Sequence, residues 1–151
     1  MANYIEEKEI NLQKEYINKL KEYTENFRKR YKRAPHANTE TYGCQQNEND
    51  TERIRGVLSE AGYEFTDTAE DADLVIYNTC AVRENAELKI FGNIGKLKAL
   101  KAENPDMIVA VCGCMVMQQH IVDKIKKTMY NNIRYITLVI YGGFLCRPKS
   151  K

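Results

Sequence analysis

Residues 71–114 read DADLVIYNTCAVRENAELKIFGNIGKLKALKAENPDMIVAVCGC. Leu74-Val75-Ile76-Tyr77 is a continuous apolar run, the pattern of a strand buried on both faces of a parallel sheet, and it ends in Asn78-Thr79-Cys80. The next segment carries Leu88, Ile90, Phe91, Ile94, Leu97 and Leu100 at helical spacing and stops at Asn104-Pro105. Met107 to Val111 is a second apolar run, closing in Cys112-Gly113-Cys114. Strand, helix, strand is one parallel crossover unit.

The same alternation continues on both sides. Asn38 to Tyr42 reads as a strand ending in Gly43-Cys44. Asn49 or Asp50 then caps a helix through Ile54, Val57, Leu58 and Ala61, which Gly62 terminates. Tyr63 to Phe65 is a short strand, and Val116 to Lys127 reads as a further helix with Ile121, Val122 and Ile125 on one face. This order predicts an α/β fold: a three-layer, open, mostly parallel sheet with flanking helices. In the first 33 residues, Ile10, Leu12, Tyr16, Ile17, Leu20, Tyr23, Phe27 and Tyr31 recur mostly at three- and four-residue steps, so an N-terminal amphipathic helix precedes the sheet. Three segments are expected: a helical extension at 1–35, the α/β domain at 36–127, and an atypical tail at 128–151.

The 151 residues are 43% hydrophobic and 29% charged, the balance of a globular chain, and the net charge of +2 neither demands nor excludes a polyanionic partner. The start, MANYIEEKEI, has no apolar signal core, and no run approaches the roughly 18 apolar residues of a membrane helix. A cytoplasmic location and no membrane contact are expected. The basic run Arg28, Lys29, Arg30, Lys32 and Arg33 falls in the last turns of the first helix, where it complements the macrodipole; a nucleic-acid contact is the other reading. Five cysteines without a secretory signal do not suggest a disulfide framework.

Position singles out three of the five. Right-handed crossovers bring the carboxyl ends of parallel strands to one edge, where such sheets bind ligands. Cys44, Cys80 and Cys114 each lie just past a predicted strand, separated by 36 and 34 residues. Gly43 and Gly113 beside two of them permit a tight turn. Three thiolates suit a soft metal centre. Zinc ligands usually come in close pairs such as C-x-x-C, which this chain lacks, and zinc would normally need a fourth ligand. Three thiolates would leave one iron of a four-iron cluster open to an exogenous ligand. Strand alternation turns Cys112 the other way, into the core.

Tyr42-Gly43-Cys44-Gln45-Gln46-Asn47, Asn78-Thr79-Cys80-Ala81-Val82-Arg83-Glu84-Asn85-Ala86, and Cys112-Gly113-Cys114-Met115 with Gln118 resemble the N-terminal domain of the radical-SAM methylthiotransferases, from about Thr39 to Lys127. The form N-T-C-x-V-R-E-x-A is most similar to the branch that makes 2-methylthio-N6-isopentenyladenosine in tRNA. The resemblance implies a transferase acting on adenosine 37, beside the anticodon. It implies an auxiliary [4Fe-4S] cluster held by Cys44, Cys80 and Cys114, with the transferred sulfur at the open iron. It also implies S-adenosylmethionine and a second [4Fe-4S] cluster in a radical-SAM domain, and a C-terminal domain that helps bind RNA. These 151 residues contain no C-x-x-x-C-x-x-C, so the chain alone is expected to be inactive.

Thr128 to Lys151 departs from that family, which fits a truncated or frame-shifted end. Ile133 to Tyr141 is apolar enough to pair as a final strand, and Cys146 matches no motif. Two other function classes stay open: a stand-alone metal or cluster carrier serving a radical-SAM partner in trans, and a cluster-free fragment.

Overall fold

The computed structural model describes residues 7–81, 85–128, 135–141 and 144–146, the side chains of residues 8, 9 and 135–146 excepted. Helix α1 (Glu7–Tyr31) leads into β1 (His36–Tyr42), α2 (Gln45–Ala61), β2 (Glu64–Phe65) and β3 (Leu74–Thr79). Then come α3 (Ala86–Glu103), β4 (Ile108–Cys112), a 3₁₀ turn (Cys114–Met117), α4 (Gln119–Thr128), β5 (Tyr135–Tyr141) and β6 (Phe144–Cys146). The strands form one sheet in the order β2-β1-β3-β4-β5-β6. All neighbours are parallel except β6, which runs antiparallel to β5. The expected mostly parallel α/β sheet is therefore present, and Tyr135–Tyr141, within the apolar segment expected to pair as a final strand, supplies its fifth strand.

Period-two alternation divides the core between the two faces. Leu74 and Ile76 of β3 and Ala110 and Cys112 of β4 pack with Ala37, Ile54, Leu58 and Ala61 under α2. Val75, Tyr77, Val109 and Val111 point the opposite way, onto Ile90, Ile94 and Leu97 of α3 and Ile121 and Ile125 of α4. Both faces are thus dry, which is why β3 reads as an unbroken apolar run.

Helix α1 is anchored near its C-terminal end. The Thr24 hydroxyl donates to the Ala61 carbonyl at 2.5 Å, and the Arg28 guanidinium donates to the Gly62 carbonyl at 3.1 Å. Arg33 makes two bonds, 2.6 and 2.9 Å, to the Asp73 carboxylate. Arg28, within the helix, and Arg33, just past its end at Tyr31, therefore tie this segment to the domain; of the basic run expected in the last turns, Lys32 and Arg33 lie beyond the helix, because the backbone turns left-handed at Lys32 with φ +59°. The apolar spacing on this helix overstates its packing: Phe27 is buried, whereas Tyr16, Tyr23 and Tyr31 are exposed.

Two boundaries differ from expectation. Helix α2 begins at Gln45 with Cys44 as its N-cap, earlier than a cap at Asn49 or Asp50 would allow, because Asn47 supplies a capping interaction to the Cys44 backbone. The segment read as one helix over 116–127 instead opens with the 3₁₀ turn, and extended backbone at Gln118 separates that turn from α4. Gly62 ends α2 in the left-handed conformation, with φ +99°, as the sequence suggests. No described helix is long and apolar enough to cross a membrane. Arg147-Pro148-Lys149 and the side chain of Cys146 lie outside the described residues.

Ile94, fully buried between α3 and the sheet, is the anchor of that face. Ile94→Ala is expected to lower the unfolding free energy by about 2–5 kcal/mol. Urea denaturation measures it, and a loss below about 1 kcal/mol would show that this face is not the core.

Candidate metal centre

Strands β1 and β3 lie side by side, but their following helices depart to opposite faces of the sheet. In doubly wound sheets a crevice opens at such a switch point, beyond the carboxyl ends of the strands. The register sets Tyr42 opposite Thr79 and Asn78 opposite Cys112, so β1, β3 and β4 end level. The sequence-predicted residues follow directly: Cys44 two residues after β1, Cys80 one after β3, Cys114 two after β4. The Cys80 amide donates to the Tyr42 carbonyl at 2.9 Å, which ties the first two strand ends together.

The three thiols differ in setting. Cys44 and Cys114 are exposed and Cys80 is buried. Cys44 caps α2, where the partial positive charge of the helix N-terminus favours an anion. Its amide lies 3.2 Å and its thiol 3.3 Å from Asn47 Oδ1. Among the described residues no three His, Cys, Asp or Glu side chains converge as a metal-binding group. The topology thus brings the backbones of the three cysteines to adjacent strand ends, while the side chains, as placed, do not meet at one point. Three soft donors on neighbouring turns suit an iron–sulfur centre, provided the thiols rotate together.

The glycines at this edge are required by close approach. A Cβ on Gly43 would stand 2.2 Å from Asn47 Oδ1. One on Gly113, which has φ +94°, would stand 2.3 Å from the Thr79 carbonyl oxygen and 2.6 Å from Asn78 Oδ1. The turn carrying Cys114 therefore packs backbone-first against the end of β3.

Beneath the cysteines lies a polar cluster whose role the sequence reading missed. Asn78 Nδ2 donates to the Asn47 carbonyl at 2.8 Å and to Thr51 Oγ1 at 3.1 Å, and Asn78 Oδ1 accepts from Asn47 Nδ2 at 2.9 Å. The Thr51 and Thr41 hydroxyls bond at 2.8 Å. Asn78 is 1% and Asn47 3% exposed. The available signal was an amide at the end of an otherwise apolar buried strand, which has to be satisfied by something.

Cys112 belongs to the core, as its alternation implies. It is fully buried, and desolvation first, with Asp50 adding a smaller contribution, pushes its thiol up to about 12. Its carbonyl accepts the Thr79 hydroxyl at 3.3 Å.

Residues 36–137 match the family described as "Uncharacterized protein family UPF0004". Several curated relatives carry the name tRNA-2-methylthio-N(6)-dimethylallyladenosine synthase. That of Clostridioides difficile is 48% identical over 118 residues, 78% of this chain and 25% of the relative. That of Acetivibrio thermocellus is 47% identical over 135 residues, 88% of this chain and 28% of the relative. That of Oceanobacillus iheyensis is 61% identical over 85 residues, 56% of this chain and 16% of the relative. The chain therefore spans about a quarter or less of the length of these relatives.

The Cys112 setting has a pH consequence. A thiol raised in the folded state stays protonated there while the unfolded chain ionises, so its stabilising contribution is whole below the ordinary value of 9.0 and is lost as pH rises towards about 12. Buried Tyr63 and Tyr77 are shifted upward too and add to alkaline lability. Cys112→Ala is expected to flatten the fall in stability above pH 9 by up to about 1.4 kcal/mol per pH unit. Urea melts from pH 8 to 11 test this; an unchanged slope would mean that Cys112 titrates normally.

Proposed function

We propose, from the premise that this chain belongs to the family described as UPF0004, that it is the part of a tRNA methylthiotransferase that holds an auxiliary [4Fe-4S] cluster. The observation that carries the reading is the delivery of one cysteine from each of three level strand ends to a single edge, in a chain whose named relatives modify tRNA. Cys44, Cys80 and Cys114 are the proposed ligands. When bound, the cluster supplies the sulfur for transfer at an iron that no protein residue ligates. The chain's own contribution is to place the three thiolates, keep Cys112 out of reach in the core, and leave the outer side of the crevice open through exposed Cys44 and Cys114.

The proposed substrate is N6-isopentenyladenosine at position 37 of tRNA. The adenosine C–H is unactivated, and replacing it requires a radical. The family's route to that radical is S-adenosylmethionine at a second cluster, and no segment of this sequence has the C-x-x-x-C-x-x-C spacing for one. That activity therefore belongs to a radical-SAM domain in cis or to a partner in trans, and the second arrangement is the carrier reading. The division into a helical extension (1–35), a cluster domain (36–127) and a tail (128–151) is part of the same proposal.

Anaerobic reconstitution with iron and sulfide is expected to give about four irons per chain and absorbance near 400 nm. Cys44→Ala, Cys80→Ala and Cys114→Ala should each retain less than half of that iron, and Cys112→Ala nearly all of it. Equal losses at Cys112 and Cys80 would overturn the ligand assignment. Incubated with prenylated tRNA, S-adenosylmethionine and a low-potential reductant, the loaded chain alone should yield no 2-methylthio nucleoside by mass spectrometry. Product, or 5′-deoxyadenosine above a no-protein control, would refute the division of labour.

A further inference from the structure

Asn78 adjoins all three of the strand-end turns that carry the proposed ligands. It lies two residues before Cys80 on the same chain. Its amide exchanges two hydrogen bonds with Asn47, at 2.8 and 2.9 Å, and Asn47 lies in the first turn of α2 with its Oδ1 on the Cys44 amide. Its Oδ1 is also one of the atoms that leave no room for a side chain at Gly113, immediately before Cys114. Both amides are almost fully buried, and Thr51 and Thr41 extend the same network away from the crevice.

Burial in an apolar core alone would call for an apolar side chain at the end of β3. An amide there is retained at the cost of satisfying each of its polar atoms. Here those bonds run between the end of β3 and the first turns of α2, elements remote in sequence, so they fix the strand end that leads to Cys80 against the helix start that Cys44 caps. We infer that Asn78 and Asn47 are positioning residues: a buried amide clamp that indexes the Cys44, Cys80 and Cys114 turns to one another, so that their thiolates meet a common ligand. The inference rests on the cluster-site reading above and names residues that serve that site without touching the metal.

The clamp's effect differs from that of ordinary core packing. Losing Asn78 leaves every thiol in place but frees the turns to drift, so a cluster would load incompletely, leave faster, or sit in altered symmetry. A structural bond elsewhere would lower stability without these changes. Thr24 provides that comparison, since its buried bond to the Ala61 carbonyl lies at the far end of α2, remote from the cysteine edge.

The experiment uses the full chain, reconstituted anaerobically with iron and sulfide. It compares wild type, Asn78→Ala, Thr51→Val, Thr24→Val and Cys80→Ala by iron content, rate of iron loss to a chelator, and electron paramagnetic resonance of the dithionite-reduced protein. Asn78→Ala should lose iron at least tenfold faster and show a changed spectrum. Thr24→Val, although less stable in urea, should match wild type on both. Should Asn78→Ala fail to fold, Thr51→Val decides: with a side chain of the same shape it removes the hydroxyl that accepts from Asn78 and bonds to Thr41, and about fivefold faster iron loss is expected. Wild-type rates and spectrum in whichever of these two variants decides would overturn the clamp. Wild-type iron content in Cys80→Ala would instead overturn the site itself, so the two failures are distinguishable.

Discussion

The shared register of β1, β3 and β4 is the constraint on which the rest of this molecule depends. A parallel pair cannot be closed by a tight turn, so β1, β3 and β4 are each followed by a helix that returns the chain towards the starting edge. β1, β3 and β4 therefore end at the same side, and their last residues emerge there on strands about 4.8 Å apart. Three cysteines separated by more than thirty residues become neighbours by this geometry alone. The reversal of strand order between β1 and β3 then keeps the helices from closing over the spot, because α2 packs on one face and α3 on the other.

The element pattern was legible because burial on both faces leaves a strong mark. Leu74 to Tyr77 is apolar at every position because β3 is covered on both sides, and the helix after it shows its period because only one face packs. The strand-end placement of Cys44, Cys80 and Cys114 followed from the same marks. What escaped was chemistry between elements. Cys44 is a poor sequence signal for an N-cap, since Ser, Thr, Asp and Asn dominate that position. Its capping partner Asn47 is visible only once α2 is placed. Thr24, the most buried of the described side chains of α1, stands among larger apolar neighbours that suggest a wider packed stripe. The 3₁₀ turn after Cys114 hid inside a segment whose hydrophobic spacing continued smoothly into α4.

Polar groups at the cysteine edge are treated differently from those at the opposite edge. At the start of β1 and β3, Arg33 and Asp73 form an ion pair, and Asp73 also accepts the His36 amide at 2.8 Å. Charge is tolerable there because Arg33 keeps contact with solvent. At the far ends of the same strands the buried groups are neutral amides and hydroxyls. A neutral network avoids the several-kcal/mol desolvation cost of a buried ion.

That neutrality bears on how the site passes between its thiol and thiolate forms. In the thiol form, Asn47 Oδ1 faces both the Cys44 amide and the Cys44 sulfur. An S–H group is a weak donor, so little is lost when it ionises. The amide bond survives ionisation, because the backbone N–H does not titrate, and the cap of α2 is kept. A thiolate there would meet a carbonyl-type oxygen with no proton between them, whereas the helix N-terminus favours its charge. Asn47 thus secures the Cys44 backbone whichever form the thiol takes. The buried amides hold the strand end before Cys80 and the helix start after Cys44 against each other, while the Cys44 thiol itself is exposed at the edge, so the network fixes backbone without enclosing that sulfur.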